Sequence, residues 1–386
     1  MKVFVLTSRI PFPLEKGDKL RAYHQLKELS KSHTLYLCAL KNPFIKVPSE
    51  AKNELLKICK EVHFIDRSWI RILVRLTCAI FTKVPFQTAF FTDSMTKKEV
   101  HHLIKLINPD HIYCQLTRTA EYVRKITKNK TIDYMDAFSL GMLQRAKRKK
   151  FILKWIYNWE AKKQRNYEKE VFDDFNYHTI ISHVDRNYIN HPLKEKIKIV
   201  PNGVHSKYFK PIIVDKDYDM VFVGNMGYPP NIDAAKFLCL DILPLIKEKL
   251  PNTSILIAGA NPPNSIKKLN SQTVHVSGWI NDIRSAYASA KVFIAPMRIG
   301  TGLQNKLLEA MSMKKACITT SIVNDTLKAP DKAVCIGNTA KELADISIEL
   351  LTNTDKRNSF AQEGKNFVED SYQWQKSTQI LNELFR

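Results

Sequence analysis

Short apolar runs alternate with longer stretches of helical period from one end of the chain to the other, the pattern of parallel α/β sheets. In the first half the runs predict strands at Val3 to Leu6, Leu35 to Ala39, Val62 to Ile65, His111 to Cys114, Ile132 to Met135 and Thr179 to Ser182. In the second half they predict strands at Met220 to Val223, Ser254 to Ala258, Val274 to Val276, Val292 to Ala295, Ala316 to Thr319 and Ala333 to Ile336. The stretch "VPNGVHSKYFKPIIVDKDYD" (200–219) interrupts the alternation with prolines, an Asn-Gly turn signal and charges, and reads as a linker. The final segment, 371–386, has helical period and offers Trp374, Ile380, Leu381 and Leu384 for burial.

A chain of 386 residues exceeds one typical domain, and 44% hydrophobic residues suffice for two cores. Two α/β sheets joined by a linker are expected to leave a cleft lined by the C-terminal ends of strands, where ligands bind in open sheets. The N-terminus lacks the apolar core of a signal peptide, and no run approaches the ~20 apolar residues of a membrane span. The expectation is a soluble protein, or one lying on a membrane. Seven cysteines are scattered singly, without metal spacing, and read as buried thiols of a cytosolic protein.

"GTGLQNKLLEAM" (300–311) raises the question of chemistry. Gly300, Thr301 and Gly302 fall between a strand and a helix, so free amides at the helix start could hold an anion. Lys306 is close enough to reach that anion, and Glu309, three residues on, shares its face. A cation for a diphosphate and a carboxylate for vicinal hydroxyls suit a sugar nucleotide. The alternative is a plain strand-to-helix turn with a surface ion pair.

With "VSGWINDIRSAYASAKVFIAPMR" (276–298) ahead of it, this stretch resembles the donor-binding half of glycosyltransferase family 4. "IVPNGVHSKYFKP" (199–211) is similar to that family's linker, and "SRIPFPLEKGDKLRAYHQLKEL" (8–29) to its first-strand loop, where Gly17 would let backbone approach the donor phosphates. The resemblance covers nearly the whole chain and is nearest to the bacterial surface-polysaccharide and exopolysaccharide transferases. It implies the GT-B fold: two Rossmann-like domains facing across a cleft, with a C-terminal helix crossing back to the first. It implies an acceptor domain over 1–205 plus 371–386, a donor domain over 206–370, and sugar transfer with retention and without a metal or other cofactor.

By position, the resemblance makes Glu309 the ribose-binding second glutamate of an E-x7-E motif, with Thr301 in place of the first. Lys306 would serve the diphosphate. Asn225 stands where an arginine is common, leaving Arg298 to share the anion's charge. Gly278 and Trp279 fall where backbone grips the nucleobase, and Leu303 completes the donor loop.

Asp133 and Asp136, in "TIDYMDAFSLGM" (131–142), end a strand on the side expected to face the cleft. Asp136 is a candidate to orient or deprotonate an acceptor hydroxyl, or else a helix cap. "DKDYD" (215–219) has the spacing of a metal–nucleotide site but precedes its strand, and reads as a solvated turn; His101-His102 reads as exposed.

Net charge is +22, from 60 Lys plus Arg against 38 Asp plus Glu, which attracts polyanions in general. The densest runs decide between them. "RSWIRILVRL" (67–76) spaces Arg67, Arg71 and Arg75 along an apolar helix, and "KRKKFILKWIYNWEAKKQR" (147–165) sets Lys150 and Lys154 beside Phe151, Trp155 and Trp159. Basic helices carrying tryptophan suit an anionic membrane surface, the alternative being helices packed on the sheet with a solvated face. No nucleic-acid reader motif is present. The reading is a transferase at the inner face of the membrane, taking a nucleotide-sugar donor and a glycan or polyprenyl-linked acceptor. The alternative is a non-catalytic paralogue that holds a nucleotide sugar or lipid for a partner.

Overall fold

The computed structural model describes residues 1–147, 151–210, 212, 214–215, 218–299 and 303–385. The chain forms two compact units: the first holds Met1–Pro201 and the C-terminal segment from Trp374, the second Asn202–Gln373.

The first unit is a seven-stranded sheet of β1 (Lys2–Thr7), β2 (Thr34–Leu40), β3 (Glu61–Ile65), β4 (His111–Gln115), β5 (Asn129–Asp133), β6 (Tyr177–Ile180) and β7 (Lys198–Ile199), in spatial order β3-β2-β1-β4-β5-β6-β7. The second is a six-stranded sheet of β8 (Tyr218–Val223), β9 (Ile255–Ala258), β10 (Val274–Gly278), β11 (Ala290–Ala295), β12 (Ala316–Thr319) and β13 (Cys335–Ile336), in order β10-β9-β8-β11-β12-β13. Every pairing between these strands is parallel. The strand order reverses direction beside β1 in the first sheet and beside β8 in the second, so each sheet has a topological switch point, between β1 and β4 and between β8 and β11.

All twelve predicted strands are present. Several differ in extent by two residues or more, among them β5, which stops at Asp133 because Met135 takes a left-handed φ of 60°, β6, which ends at Ile180, β10, which runs on to Gly278, and β13, which shrinks to two residues. β7, also two residues long, falls in a stretch too short for a periodic signal. The apolar runs are continuous because both faces of the sheet are covered. In β1, Val3 and Val5 face one core with Leu26 and Leu29, while Phe4 and Leu6 face the other with Val100 and Ile104.

The C-terminal helix Trp374–Glu383 belongs to the first unit. Trp374 stacks on His24 with ring centroids 4.9 Å apart, and Leu381 and Phe385 join the core that contains Leu26 and Tyr113. Burying side chains of that size contributes about 1.5–3 kcal/mol each, which holds the last residues of the chain to its first strands.

One ion pair fixes the middle of the first sheet. Arg21, from the helix Gly17–Leu29, is fully buried and donates from Nε and Nη2 to Asp133 at 2.6 and 3.0 Å. Its Nη1 donates to the Val200 carbonyl at 2.7 Å, and the same carboxylate accepts from Tyr113 and Thr179 hydroxyls at 3.1 and 3.0 Å. Removing one partner of such a pair typically costs about 3–5 kcal/mol, because the other charge is left buried alone. Asp133 is therefore a structural anchor. The expectation that it faces a ligand is corrected: its oxygens are already occupied.

Candidate functional site

In the second unit, polar chemistry collects at the switch point, where the segments after β8 and β11 lie side by side. The turn after β8 is tight. Gly259, at the end of β9, has a φ of +135°, and a Cβ there would stand 1.8 Å from the Gly224 carbonyl oxygen, so only glycine lets the two turns approach. Asn225 is exposed; its side chain accepts from the Gly227 amide at 2.9 Å and its carbonyl accepts from Asn231 Nδ2 at 2.9 Å. Asn231 is buried in the helix Pro229–Phe237.

The helix Asn305–Ser312 supplies the charges. Its buried face carries Leu307, Leu308, Ala310 and Met311 in the core, which leaves Lys306 and Glu309 half-buried at its edge. Lys306 Nζ donates to Asn231 Oδ1 and sits 4.9 Å from the centroid of the Phe222 ring. Among the described residues no carboxylate lies within ion-pair distance of it. Burial without a counter-charge lowers the Lys306 pKa to about 7, with only the more distant charge of Glu309 opposing. The group is a cation that an incoming anion would stabilise.

Glu309 is held differently. Its Oε2 accepts from the Tyr287 hydroxyl at 2.8 Å, and Tyr208 also donates to it. Burial raises its pKa, and the hydrogen bonds of Tyr287 and Tyr208 resist that rise. Asn231, Tyr287 and Tyr208 were not singled out from sequence: each is an ordinary polar residue in a helix or linker until the fold brings it to Lys306 or Glu309.

One predicted cation and two glycines take narrower roles. Arg298 donates from Nε and Nη2 to Asp233 at 3.1 and 2.8 Å and lies 4.2 Å from the Phe237 ring centroid, so its fork is taken, which corrects the expectation that it is free to share an anion's charge. Gly17 opens its helix, where a Cβ would make an ordinary 3.4 Å contact with Met135. Gly278 ends β10 with a φ of +71° that disfavours any side chain, and Trp279 beside it is exposed, its indole donating to Asn281 at 3.1 Å. Leu303 packs against the core of this unit. Gly300, Thr301, Gly302 and Lys150 lie outside the described residues.

In the first unit, Asp136 follows β5 and is half-buried. Burial first, and the charge of Asp185 second, push its carboxyl up to about 7, with Arg21 and Arg118 resisting. It does not cap the helix Phe138–Ala146, whose N-cap is Ala137. A carboxyl poised near neutrality suits proton transfer. Elsewhere, Asp219 binds Ser254 and Lys291 at the start of β8, away from the ligand-binding edge of the sheet, and so is no solvated turn. His101 bonds to the Tyr122 carbonyl at 2.8 Å and is only half-exposed.

The two basic stretches meet on one surface. The helices Trp69–Phe81 and Phe151–Phe172 are joined by Lys163, whose ammonium donates to the Ala79 carbonyl. Trp69, Leu73, Val74 and Phe81 are exposed on the first, and Phe151, Ile152 and Trp155 on the second, at 90%, 75% and 67%. Arg75 and Lys154 are exposed among them, and Arg71 is half-exposed, 3.4 Å from Asp93. Arg67 is corrected: it precedes the helix, is buried, and packs its guanidinium 5.0 Å from the Phe91 ring centroid. Trp159 is half-buried between Phe86 and Lys163, so Trp155 presents the exposed indole of the pair. Among the described residues no helix is long and apolar enough to cross a membrane.

The Glu309 geometry predicts a stability cost that sequence did not suggest. Glu309→Ala strands two phenolic donors and should lower unfolding stability by about 1–3 kcal/mol in urea, whereas Glu309→Gln, which keeps an acceptor, should cost less than about 1 kcal/mol. Equal stability of Glu309→Ala and the parent would show that these bonds hold nothing.

Residues 217–353, which contain Asn225, Asn231, Lys306 and Glu309, match the family described as glycosyl transferases group 1. Over its whole length the chain is similar to an uncharacterised 44.6 kDa protein of the cps region of Klebsiella pneumoniae, 22% identical over 421 aligned residues spanning 100% of this chain and 99% of that one. Among solved structures, the HepE protein of Anabaena in complex with UDP has a TM-score of 0.69 at 13% identity, covering 99% of each chain. Sucrose-phosphate synthase from Thermosynechococcus elongatus has a TM-score of 0.68 at 13% identity, covering 100% of this chain and 98% of that one. The fold is the two-sheet α/β architecture of the GT-B glycosyltransferases.

Proposed function

We propose that this protein is a retaining glycosyltransferase in surface-polysaccharide assembly, working at the cytoplasmic face of a membrane. Its donor is a nucleotide sugar held by the second unit, and its acceptor a glycan or polyprenyl-linked sugar held by the first. The observation that carries the reading is Lys306 and Glu309 on one helix at the switch point of the second sheet, one a cation with no carboxylate in ion-pair distance among the described residues, the other a carboxylate oriented by two tyrosines. The family match over 217–353 and a structural neighbour in complex with UDP support it.

In this reading Lys306 offsets charge on the departing diphosphate, a role in which one lost donor typically lowers rate by about 100- to 1000-fold. Glu309 accepts hydrogen bonds from ribose hydroxyls. Asp136 orients or deprotonates the acceptor hydroxyl, its raised pKa leaving it able to take a proton near neutrality. The cation is supplied by the chain, so no metal is required.

Two measurements test this. Turnover of a panel of nucleotide sugars should be detectable, should survive excess chelator, and should fall at least about 100-fold in Lys306→Met. A strict need for manganese or magnesium defeats the metal-free mechanism, and nucleotide binding without turnover of any donor favours a non-catalytic holder.

For the membrane, the protein should sediment with anionic liposomes, less so as salt rises, and poorly with neutral ones. Ile152→Ala with Trp155→Ala should weaken sedimentation without altering nucleotide affinity. Indifference to anionic liposomes at low salt would mean that the exposed helices serve another purpose.

A further inference from the structure

The loop after β5 sets Asp136 among three other carboxylates from three different elements. Asp133 ends the strand, Glu168 comes from the helix Phe151–Phe172, and Asp185 from the helix His183–Tyr188. Those three are fully buried, whereas Asp136 is half-buried. A buried carboxylate is costly unless it is hydrogen-bonded, so what each one binds is informative.

All three are spent on the loop's own backbone. Asp133 Oδ1 accepts from the Met135 amide at 3.2 Å, Asp185 Oδ1 from the Ala137 amide at 3.1 Å, and Glu168 Oε1 from the Ser139 amide at 3.1 Å. The amides on either side of Asp136 are thus both held by carboxylates, and the Ile181 amide holds the Met135 carbonyl at 2.9 Å. Met135 is kept in a left-handed conformation, φ 60°, that a residue with a side chain takes only when its surroundings impose it. Among the described residues, Asp136 alone of the four carboxyls accepts no hydrogen bond from the protein.

Helix capping accounts for only part of this. Glu168 takes a free amide in the first turn of the helix Phe138–Ala146, as a cap would. Asp185 is different. It stands at the third helical position after the cap Ser182, where a carboxylate ordinarily returns to the amide of its own cap. Its Oδ2 takes the Ser182 hydroxyl instead, and its Oδ1 crosses to Ala137. The charged groups that face Asp136 are Asp185, Arg21, Asp133 and Arg118, and after burial Asp185 acts most strongly. Arg21 is committed to Asp133, and Arg118 donates from Nε and Nη2 to Gln87 at 3.1 and 2.9 Å.

We propose that Asp185 and Glu168 are positioning residues for Asp136, holding the amides of Ala137 and Ser139 so that the one unbonded carboxyl of the four is presented to the acceptor hydroxyl at a fixed place. The acceptor rests on the glycosyltransferase reading; the holding of Asp136 stands on the hydrogen bonds. Asp185 also acts by charge. Its carboxylate keeps a proton on Asp136 to higher pH, so removing that charge moves the Asp136 titration, and the acid limb of any activity that needs the ionised form, to lower pH.

The test is a carboxyl-carbon NMR titration of the full chain, with the Asp136 signal identified by its loss in Asp136→Asn. Its midpoint should lie at about 7 in the parent and fall by at least about 0.5 pH unit in Asp185→Asn, which still accepts from the Ala137 amide. Glu168→Gln should leave the midpoint in place. With a donor that the parent uses, Asp185→Ala and Glu168→Ala should lower kcat at least about tenfold and leave the donor KM unchanged. A midpoint unmoved in Asp185→Asn overturns the proposal, as does a kcat per folded molecule equal to the parent's in both alanine variants. If those variants do not fold, the titration of Asp185→Asn decides alone. A parent that transfers no sugar defeats the glycosyltransferase reading, and the titration still decides whether Asp185 governs Asp136.

Discussion

Parallel strand pairing is the constraint from which the rest follows. A sheet whose pairs are all parallel needs a crossover after each strand, and the crossovers cover both faces with helices. Apolar side chains then occupy both faces, as Val3 and Phe4 do on opposite sides of β1, and no polar ligand can be met there. Chemistry is pushed to the C-terminal edge, and within that edge to the place where neighbouring crossovers run in opposite directions. In the second sheet that place brings together Asn225, Asn231, Arg298, Lys306 and Glu309. In the first it brings together Arg9, Asp18 and Arg118.

The two units treat buried charge in opposite ways. Arg21 and Asp133 satisfy each other, and their remaining hydrogen-bonding capacity goes to Val200, Tyr113 and Thr179. Such a closed network positions elements and has nothing left for a ligand. Lys306 has a neutral amide and an aromatic ring as neighbours, so its charge is penalised and its pKa falls. A charge left in that condition is a poor contributor to stability and a good receptor for an anion. The contrast separates scaffold from candidate site more clearly than residue type does, since Asp133 and Lys306 both began as charged residues near strand ends.

Strand positions were legible because each is a continuous apolar run bounded by turns, and only the two-residue β7 lacked such a run. Lys306 and Glu309 were legible because helix geometry fixes an i, i+3 pair on one face. What holds them was not. Asn231 lies 75 residues from Lys306 and Tyr287 lies 22 from Glu309, and no local pattern encodes a partner at that distance. The same limit explains the errors. Arg67 fits the spacing of a basic stripe, yet the helix starts after it and its guanidinium turns inward onto Phe90 and Phe91. Arg298 fits an anion site until Asp233 is seen to occupy it.

The central claim is that Lys306 is an under-neutralised cation awaiting a diphosphate, and calorimetric titration with UDP across pH 7 to 9 tests it most directly. The free-state pKa of Lys306 is lowered to about 7, and a bound diphosphate would raise it, so binding above that pH must draw a proton from solvent. The phosphate's own last ionisation, near pH 6, falls below the window. The account predicts uptake approaching one proton per UDP near pH 8, affinity that falls with rising pH, and loss of both effects in Lys306→Met. UDP affinity that is flat from pH 7 to 9, with no proton taken up, would contradict it.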